Sequence, residues 1–336
     1  MRKPDYTQLL KVLNKQVPDR PTLYEFFLNG PLYKKLAAGE ASVKGDGLDH
    51  ERLMIHGFKN AGYDYVSLPA SGFYFPGKQR DHIRTQSLND ADSIYDWESY
   101  EKYEWLEPES YDCKILDMAQ EEMPEGMGVV AYGPSGVLEN TIALIGFDNL
   151  CMLIYDEPDL AKQVFDDVGS RLLKYYQMAA EHPAVIALMS NDDWGFNTAT
   201  MLSPADMRKY VFPWHKKIVA AGHAKCKPVM LHSCGYLEEV MEDIIEDMKF
   251  DAKHSFEDTI LSIEDSYEKY KGRIALLGGM DVDFVCRATP EEVAARSRAM
   301  IERASVCGGY ALGTGNSVPE YVPQEQYLAM IDVVRK

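Results

Sequence analysis

The sequence predicts an α/β protein, a single (β/α)8 barrel with an insertion after its second strand. Three observations support this prediction: eight short strand-like runs, amphipathic helical stretches between them, and no linker that would separate the chain into two domains. Alternation of strands and helices is typical of a parallel sheet, and eight units are the number that closes such a sheet into a barrel. We therefore expect residues 1–336 to form one TIM-barrel domain.

The strand-like runs are short and mostly apolar, and most are followed by a polar or glycine-containing turn. In chain order they are Thr22–Phe27, Tyr63–Leu68, Gly128–Tyr132, Ala184–Met189, Pro228–His232, Phe250–Ser255, Arg273–Gly278 and Gly309–Gly313. Two of the helices between them have clear N-terminal signals. Ser203–Ala221 begins with Ser-Pro-Ala-Asp, and Thr289–Ala304 begins with Thr-Pro-Glu-Glu.

The segment 73–127 interrupts this alternation after the second run. It contains a basic cluster and then an aromatic run, made of Lys78, Arg80, His82 and Arg84 and of Trp97, Tyr100, Tyr103 and Trp105. We expect the segment to fold over the barrel mouth as a lid. The basic cluster is then a solvated loop face, unless closure brings Arg80 or Arg84 to a substrate carboxylate.

Composition restricts the class of protein. Hydrophobic content of 46% with 26% charged residues describes a globular chain with ample material for a core. A net charge of -18 argues against nucleic-acid binding, and no apolar stretch is long enough to span a membrane. The six cysteines lack the spacing of a disulfide scaffold, and the first residues lack an apolar signal segment. We expect a cytoplasmic enzyme.

The most informative segment is Lys227–Gly235, an apolar run that ends in His232 and Cys234. Side chains two residues apart in an extended segment point to the same side, so these two can share one ion. Imidazole and thiolate together suit zinc better than magnesium or calcium, which prefer oxygen ligands. The alternative is a strand end with a buried cysteine and a hydrogen-bonded histidine.

A catalytic zinc site usually has three protein ligands and an open position, so another strand end must supply a ligand. For an aspartate, helix capping or a hydrogen bond to the next strand is an equally open alternative, and a histidine could simply hold a neighbouring loop. Cys307 precedes the eighth run, so we expect a structural thiol at the opposite rim. The candidate ligands are Asp192 or Asp193, His254, Glu257 and Asp281.

The remaining strand ends are also polar. Active sites of such barrels lie at the C-terminal ends of the strands, which makes these residues site candidates. The loop Gly309–Ser317 superficially resembles a phosphate loop, but it lacks the Gly-Lys-Ser/Thr ending. A tight backbone turn beside the substrate is the favoured interpretation. The strand-end residues concerned are Glu25, Asn29, Tyr132, Asn191, Trp194 and Asn316.

Five segments together resemble the uroporphyrinogen decarboxylase-like superfamily. This group includes the porphyrinogen decarboxylases and the zinc-dependent methyltransferases of cobalamin systems, and the resemblance extends from about Arg20 to the C-terminus. It implies the same barrel fold. The segments are Ser190-Asn-Asp-Asp-Trp-Gly, Leu231-His-Ser-Cys-Gly, Asp251-Ala-Lys-His-Ser-Phe, Leu277-Gly-Gly-Met-Asp and Gly313-Thr-Gly-Asn-Ser-Val-Pro.

The resemblance is closer to the methyltransferase branch. The decarboxylases carry an N-terminal motif whose arginines serve a substrate rich in carboxylates, whereas here Arg20 stands alone, ahead of the first strand. Methyltransferases similar to methylcobamide:coenzyme M methyltransferase bind zinc through His-x-Cys after strand five, which His232 and Cys234 match. They use a further Cys after strand eight, where this chain has Asn316. Either another residue completes the site, with Glu257, Asp193 and Asp281 as candidates, or metal binding is weak or absent.

We therefore expect a zinc-dependent methyltransferase that moves a methyl group between a small methylated substrate and a corrinoid protein, with zinc as a Lewis acid. One alternative is a cofactor-free decarboxylase of a porphyrinogen or another aromatic acid. A corrinoid- or metal-binding partner without catalysis is a second. The expected metal ligands are His232, Cys234 and Glu257; the expected catalytic residues are Asp193, Tyr132, His254 and Asn191; the expected substrate-binding residues are Glu25, Asn29, Trp194, Asn316 and Arg80.

Overall fold

A parallel sheet forms the centre of the fold. The computed structural model describes residues 2–77, 89 and 93–335. Its strands are hydrogen-bonded in chain order from the first to the seventh, and their central residues are buried on both faces. The strands of the described residues are β1 (Tyr65–Pro69), β2 (Gly128–Tyr132), β3 (Val185–Asn191), β4 (Val229–His232), β5 (Ala252–His254), β6 (Ala275–Leu277) and β7 (Tyr310–Ala311).

Helices follow most strands and pack against them. The expected capping box at Thr289 and Glu292 is present and opens the helix Pro290–Ala304. No single described helix is long and apolar enough to cross a membrane. The helices Val137–Ile145 and Phe147–Asp156 meet that test only together, with a 94° bend between them. The helices are α1 (Tyr6–Leu13), α2 (Gly30–Ala37), α3 (Asp49–Ala61), α4 (Trp97–Lys102), α5 (Lys114–Glu122), α6 (Val137–Ile145), α7 (Phe147–Asp156), α8 (Pro158–Glu181), α9 (Pro204–Asp206), α10 (Phe212–Ala224), α11 (Ile263–Tyr270), α12 (Val282–Arg287), α13 (Pro290–Ala304) and α14 (Gln324–Arg335).

The first predicted strand, Thr22–Phe27, is reduced to a parallel bridge between Leu23 and Leu312, so seven strands replace the eight expected within the described chain. The reason lies at Glu25, whose backbone N–H donates to the Tyr65 hydroxyl at 2.8 Å instead of joining a backbone ladder. The segment nevertheless contacts both edge strands, because Leu312 follows β7 and Tyr65 opens β1. This α/β arrangement is consistent with a TIM-like barrel.

The predicted helix Ser203–Ala221 is broken in its first half. Ser203 caps the short α9, and a single π-helical turn over Met207–Val211 precedes α10. Pro213 stands at the start of α10 and has no backbone N–H to give to an α-helical partner one turn back. The wider turn accommodates this missing donor without ending the helical path.

The predicted insertion 73–127 is described only in part. Lys78, Arg80, His82 and Arg84 lie outside the described residues. In the described remainder, the Tyr100 hydroxyl donates to Asp167 at 2.7 Å, and the Arg171 guanidinium lies 4.7 Å from the centre of the Trp105 ring. This part of the segment therefore packs on α8, and its role as a lid stays a prediction.

Candidate metal centre

Three neighbouring strands bring the predicted metal ligands to one edge of the sheet. The parallel register pairs Asn191 of β3 with His232 of β4, and His232 with His254 of β5. Asp193 and Cys234 each stand two residues beyond a member of this row. Because parallel strands end at the same edge, residues far apart in the sequence become neighbours there.

Asp193, His232 and Cys234 form one compact group of possible metal ligands. One carboxylate oxygen, one ring nitrogen and the sulfur all lie within 4.8 Å of one another. His232 Nε2 is 3.7 Å from Cys234 Sγ and 3.8 Å from Asp193 Oδ1. Nitrogen, sulfur and carboxylate oxygen are the donors that zinc accepts, and three of them leave one position of a tetrahedron open. The residues present therefore fit a catalytic zinc ion.

The protonation state of His232 follows from a chain of hydrogen bonds. His232 Nδ1 lies 2.8 Å from His254 Nδ1, and His254 Nε2 lies 3.3 Å from the Thr314 carbonyl oxygen. A carbonyl can only accept, so His254 carries its proton on Nε2 and accepts at Nδ1. His232 must then donate from Nδ1, which leaves the Nε2 lone pair directed at Asp193 and Cys234. This is the tautomer that binds a metal.

Burial keeps both imidazoles neutral. It lowers the pKa of His232 to about 3 and that of His254 well below its usual value, with the Lys253 charge adding to the effect at both rings. No proton therefore competes for His232 Nε2 near neutral pH. The His232 Nε2 lone pair would therefore be available to a metal ion without the loss of a proton.

The Cys234 side chain is held as a protonated thiol. Burial, followed by the neighbouring Asp193 carboxylate, raises the pKa of the Cys234 thiol to about 12. The side-chain amide of Asn316 donates to the sulfur at 3.2 Å. Asn316 thus occupies the place where the sequence comparison expected a second cysteine, and it supplies a hydrogen bond to the sulfur instead of a thiolate.

The two loops that carry Asp193 and Cys234 are joined by their own hydrogen bonds. The Cys234 backbone N–H donates to Asp193 Oδ1 at 2.9 Å, and the Trp194 N–H donates to the Ser233 hydroxyl at 3.0 Å. Gly235 has a φ of +81°, and a Cβ built there would lie 2.3 Å from the Gly195 backbone. Only glycine allows this approach, so the ligand geometry is set before any ion binds.

The other side of His232 is apolar. The Phe26 ring centre lies 4.7 Å from that of His232, and the half-buried Tyr132 ring meets Phe26 edge-on at 5.4 Å. Burial raises the pKa of Tyr132 to about 12, so its hydroxyl stays protonated and can donate a hydrogen bond. Aromatic surface beside a metal ligand excludes water from that side of the centre.

The sequence profile of the family described as Uroporphyrinogen decarboxylase (URO-D) matches residues 85–336. The chain belongs to the URO-D family. Two curated relatives, both named uroporphyrinogen decarboxylase, from Paraburkholderia phytofirmans and Paraburkholderia xenovorans, are each 21% identical over 193 residues. Each match covers 56% of this chain and 50% of the relative, so the chain spans about half the length of these relatives.

A solved methyltransferase from Methanosarcina mazei is similar to the chain in structure. It superposes with a TM-score of 0.71 at 16% identity, covering 99% of both chains. At this identity the likeness shows the fold alone, and it agrees with a TIM-like arrangement. The superfamily predicted from the sequence motifs is confirmed, and members of the URO-D family are enzymes.

Several members of the predicted site do meet in this URO-D chain. Asp193, His254 and Asn316 contact the ligand pair directly or stand among the ligands, as described above. Asn191 points its side-chain oxygen at the Gly133 backbone N–H, 3.0 Å away, and so joins the ends of β2 and β3. Arg80 lies outside the described residues. The roles assigned to these residues stay predictions.

Glu257 and Asp281 are not brought to the ligand group. Glu257 lines a cavity of about 30 Å³ together with Lys253 and Tyr270, and it is not in the group formed by Asp193, His232 and Cys234. The Asp281 carboxylate caps α12 by accepting from the Phe284 N–H at 3.0 Å, and it also accepts from the Asp258 N–H at 2.8 Å. Among the described residues, the carboxylate that lies with His232 and Cys234 is that of Asp193, whereas the sequence predicted Glu257.

Three predicted substrate-binding residues are buried in the framework. Asn29 caps α2 through the Leu32 N–H and donates to the Pro319 carbonyl, which uses both ends of its amide. The Trp194 ring is fully buried against Phe212 and His215. Glu25 is fully buried and bonds to Thr314. Because these residues lie at the ends of predicted strands, we expected their side chains to be exposed at the rim of the barrel. They instead point between the strands and helices.

Asp192 faces away from the metal centre. Its carboxylate accepts from the Leu138 and Glu139 N–H groups at 2.9 and 3.0 Å, and it lies 2.9 Å from His215 Nε2. It therefore holds the N-terminus of α6, which is the capping alternative left open for the aspartate pair. Alternation along the extended chain sends Asp192 and Asp193 to opposite sides.

Two further residues near the metal centre were not predicted from the sequence. The Glu139 carboxylate accepts from the Ser135 hydroxyl at 2.8 Å, and burial together with Asp192 and Asp193 raises its pKa to about 8. Lys253 is 5% exposed, and burial lowers its pKa to about 8. The sequence holds one indication for each residue. Lys253 is a charged residue inside a predicted strand, and Glu139 lies in the first turn of a helix that follows a Gly-Pro-Ser-Gly loop.

Proposed function

We propose that this chain is a zinc-dependent methyltransferase of a corrinoid system, which moves a methyl group from a small methylated substrate to the cobalt of a partner protein. The observation that carries the proposal is the group Asp193, His232 and Cys234, with His232 already in the tautomer that binds a metal. The family is compatible with it, and the fold is shared with a solved methyltransferase. We also propose that the chain forms one domain, that its sheet closes into a barrel and that the protein is cytoplasmic.

Zinc held by these three residues would supply Lewis acidity to the atom that carries the methyl group. The ligand set is harder than one with two thiolates, because Asp193 contributes oxygen and Asn316 contributes no charge. A harder set leaves the ion more electrophilic and suits an oxygen atom. We therefore favour a substrate whose methyl group is bonded to oxygen.

The chain also supplies a proton for the departing atom. When a methyl group leaves oxygen, the bonding electrons stay on that oxygen, which must gain a proton to leave as an alcohol. The Glu139 carboxyl holds a proton near neutral pH, since burial and two neighbouring aspartates raise its pKa to about 8. We assign Glu139 as the donor and the Tyr132 and Phe26 rings as the surface that excludes water.

The runner-up is a cofactor-free decarboxylase of a porphyrinogen or another aromatic acid, in keeping with the names of the curated relatives. One contact disfavours it. Arg20, the arginine of the region that would serve substrate carboxylates, lies 2.6 Å from Asp64 and donates to the Lys3 carbonyl. That guanidinium is already paired on the N-terminal side of the sheet, where it shares Asp64 with Arg2.

The first experiment is elemental analysis of the purified protein, with Cys234→Ala beside it and Cys307→Ala as the matched control, because Cys307 is an exposed thiol. Near-stoichiometric zinc in the native chain and the control, and its loss in Cys234→Ala, supports the proposal. Protein that stays metal-free after zinc is added contradicts it and moves the choice to the decarboxylase.

The second experiment measures the reaction. Methyl ethers and methylamines are incubated with cob(I)alamin and the zinc-loaded protein, and methyl-cobalt formation is followed by visible absorbance. Turnover with an oxygen-bound methyl group is expected. Carbon dioxide release from uroporphyrinogen, with no methyl transfer from any of these substrates, would establish the alternative.

A further inference from the structure

Within the part of the chain that the structure describes, the Glu25 carboxyl group has no charged partner. Its side chain is fully buried, and no described lysine, arginine or histidine lies within ion-pair distance of it. His254 lies edge-on to Tyr24 with ring centres 5.2 Å apart, and burial keeps this imidazole neutral. The described titratable groups whose pKa Glu25 influences are tyrosines, which are neutral near pH 7: Tyr24, Tyr33, Tyr63, Tyr65, Tyr310 and Tyr327.

The hydrogen bonds around Glu25 require a proton on its carboxyl group. Thr314 Oγ1 lies 2.7 Å from Glu25 Oε2 and 2.5 Å from the Asn316 carbonyl oxygen, while the Thr314 N–H donates to Glu25 Oε1 at 2.7 Å. A hydroxyl has one proton, so it cannot donate to both oxygens. All distances are satisfied when Glu25 Oε2 carries a proton and donates to Thr314 Oγ1, which then donates to Asn316.

Thr314 connects this acid to both sides of the metal centre. Its carbonyl oxygen accepts from His254 Nε2 at 3.3 Å, and that contact fixes the tautomer of His232. Its hydroxyl holds the backbone of Asn316, whose side chain donates to Cys234 Sγ at 3.2 Å. Glu25 is the only group described here that binds both the backbone N–H and the hydroxyl of Thr314.

We propose that Glu25 is a neutral carboxylic acid that acts as a positioning residue, holding Thr314 so that His232 and Cys234 are aligned at the same time. In this role Glu25 acts through Thr314 and not on the substrate, whereas its place at a strand end predicted substrate binding. The link to metal affinity rests on the proposed zinc site, whereas the neutral state of Glu25 does not.

The protonated state has a pH signature of known sign. Burial raises the pKa of Glu25 to about 8, above its ordinary value near 4.5. Between these two pH values the folded chain retains a proton that the unfolded chain has lost, so folding stability falls as the pH rises. Below about pH 4.5 both states are protonated, and above about pH 8 both are ionised, so the dependence vanishes at both ends.

Glu25→Gln is the decisive variant, because its amide can accept from the Thr314 N–H and donate to Thr314 Oγ1 as the neutral acid does. Relative to the native chain, its folding constant should rise about tenfold per pH unit between about pH 5 and 8 and stay level outside that window. Infrared difference spectra should show a protonated carboxylic acid in the native chain that is missing from Glu25→Gln. A constant stability difference across the window, with no such band, overturns the neutral acid.

The positioning role is tested at Thr314. Thr314→Val keeps the shape but removes the hydroxyl, and it should weaken zinc binding by at least tenfold in a chelator competition, while Thr314→Ser retains most of the affinity. Equal affinities for the Val and Ser variants overturn the positioning role. If Thr314→Val does not fold, the Glu25→Gln results still decide the protonation of Glu25. A chain that binds no zinc would defeat the proposed function, yet it would leave the infrared and pH results intact.

Discussion

The free nitrogen of His232 depends on two residues that supply no atom to the group of possible ligands. His254 accepts the proton of His232 Nδ1, and the Thr314 carbonyl fixes the proton of His254. Such outer hydrogen bonds typically change metal affinity by about 10–100-fold when they are removed. At the scale of single residues, the centre is therefore specified as much by proton positions as by ligand identity.

Replacing His254 by Phe should expose this dependence. The ring size is similar, but phenylalanine cannot accept from His232, so the alternative tautomer becomes available and zinc affinity should fall by about 10–100-fold. Chelator competition measures the change. His223→Phe serves as the control, since His223 is an exposed residue of α10 paired with Asp251. Equal loss in the two variants would show that the effect is not specific to the histidine pair.

Zinc binding should also depend on pH through Cys234. Because the pKa of this thiol is raised to about 12, the protein must release its proton when a metal binds. The apparent affinity should rise about tenfold per pH unit from pH 6.5 to 8.5, with no contribution from His232, whose pKa is lowered to about 3. Calorimetry in buffers of different ionisation enthalpy counts the released protons. A flat profile would show that Cys234 is already a thiolate.

At the scale of elements, the loop after β3 divides two adjacent aspartates between two tasks. Asp192 turns toward the N-terminus of α6 and His215, whereas Asp193 turns toward the loop after β4 and accepts from the Cys234 N–H. Two neighbouring residues can therefore differ in role, with Asp192 stabilising a helix and Asp193 proposed as a ligand, because successive side chains of an extended segment alternate in direction.

Asp192→Asn and Asp193→Asn form a matched pair that separates the two tasks. Asp192→Asn should lower the free energy of unfolding by about 1.5–3 kcal/mol, since an amide nitrogen replaces the oxygen that accepts from the Leu138 N–H and faces His215 Nε2, yet zinc should remain. Asp193→Asn should lose zinc affinity with little change in stability, because its oxygen can still accept from the Cys234 N–H. Urea titration and elemental analysis measure the two effects, and a reversed pattern would contradict the assignment.

At the scale of the whole molecule, the charge is strongly one-sided. The net charge is -18. Some of the aspartates and glutamates form ion pairs, for example with Arg52 and Arg296. Arg52 is buried and joins the loop before α3 to Glu122 of α5, while Arg296 joins α13 to Asp258 and Glu264. The unpaired remainder repels itself and opposes the compact state.

Salt should therefore stabilise the fold. Raising sodium chloride from about 0.01 to 0.1 M shortens the Debye length from about 30 to 10 Å, which screens repulsion between distant acids more than contacts within ion pairs. The midpoint of thermal unfolding should rise over this range, as measured by circular dichroism. An uncharged osmolyte at equal osmolality is the control for solvent effects, and a midpoint that falls with salt would show that surface ion pairs dominate instead.

The sequence by itself determined the α/β class, the superfamily and the closeness of His232 and Cys234. Buried strands are marked by apolar runs, and the spacing of His232 and Cys234 places two soft ligands on one side of an extended segment whatever surrounds them. These features are local, so a pattern within a few residues is sufficient to predict them. The capping box at Thr289 was predictable for the same reason.

Only the tertiary structure decided which carboxylate lies beside His232 and Cys234 and which strand-end residues are buried. Asp193, Glu257 and Asp281 were all candidates by strand order, with Glu257 as the expected ligand, and the crossing of two loops places Asp193 beside the pair. The fate of Glu25 depends on Thr314, 289 positions away, and on a ring of tyrosines from four regions of the chain. Distance along the chain carries no information about such contacts, because burial and hydrogen-bond geometry are properties of the packed molecule.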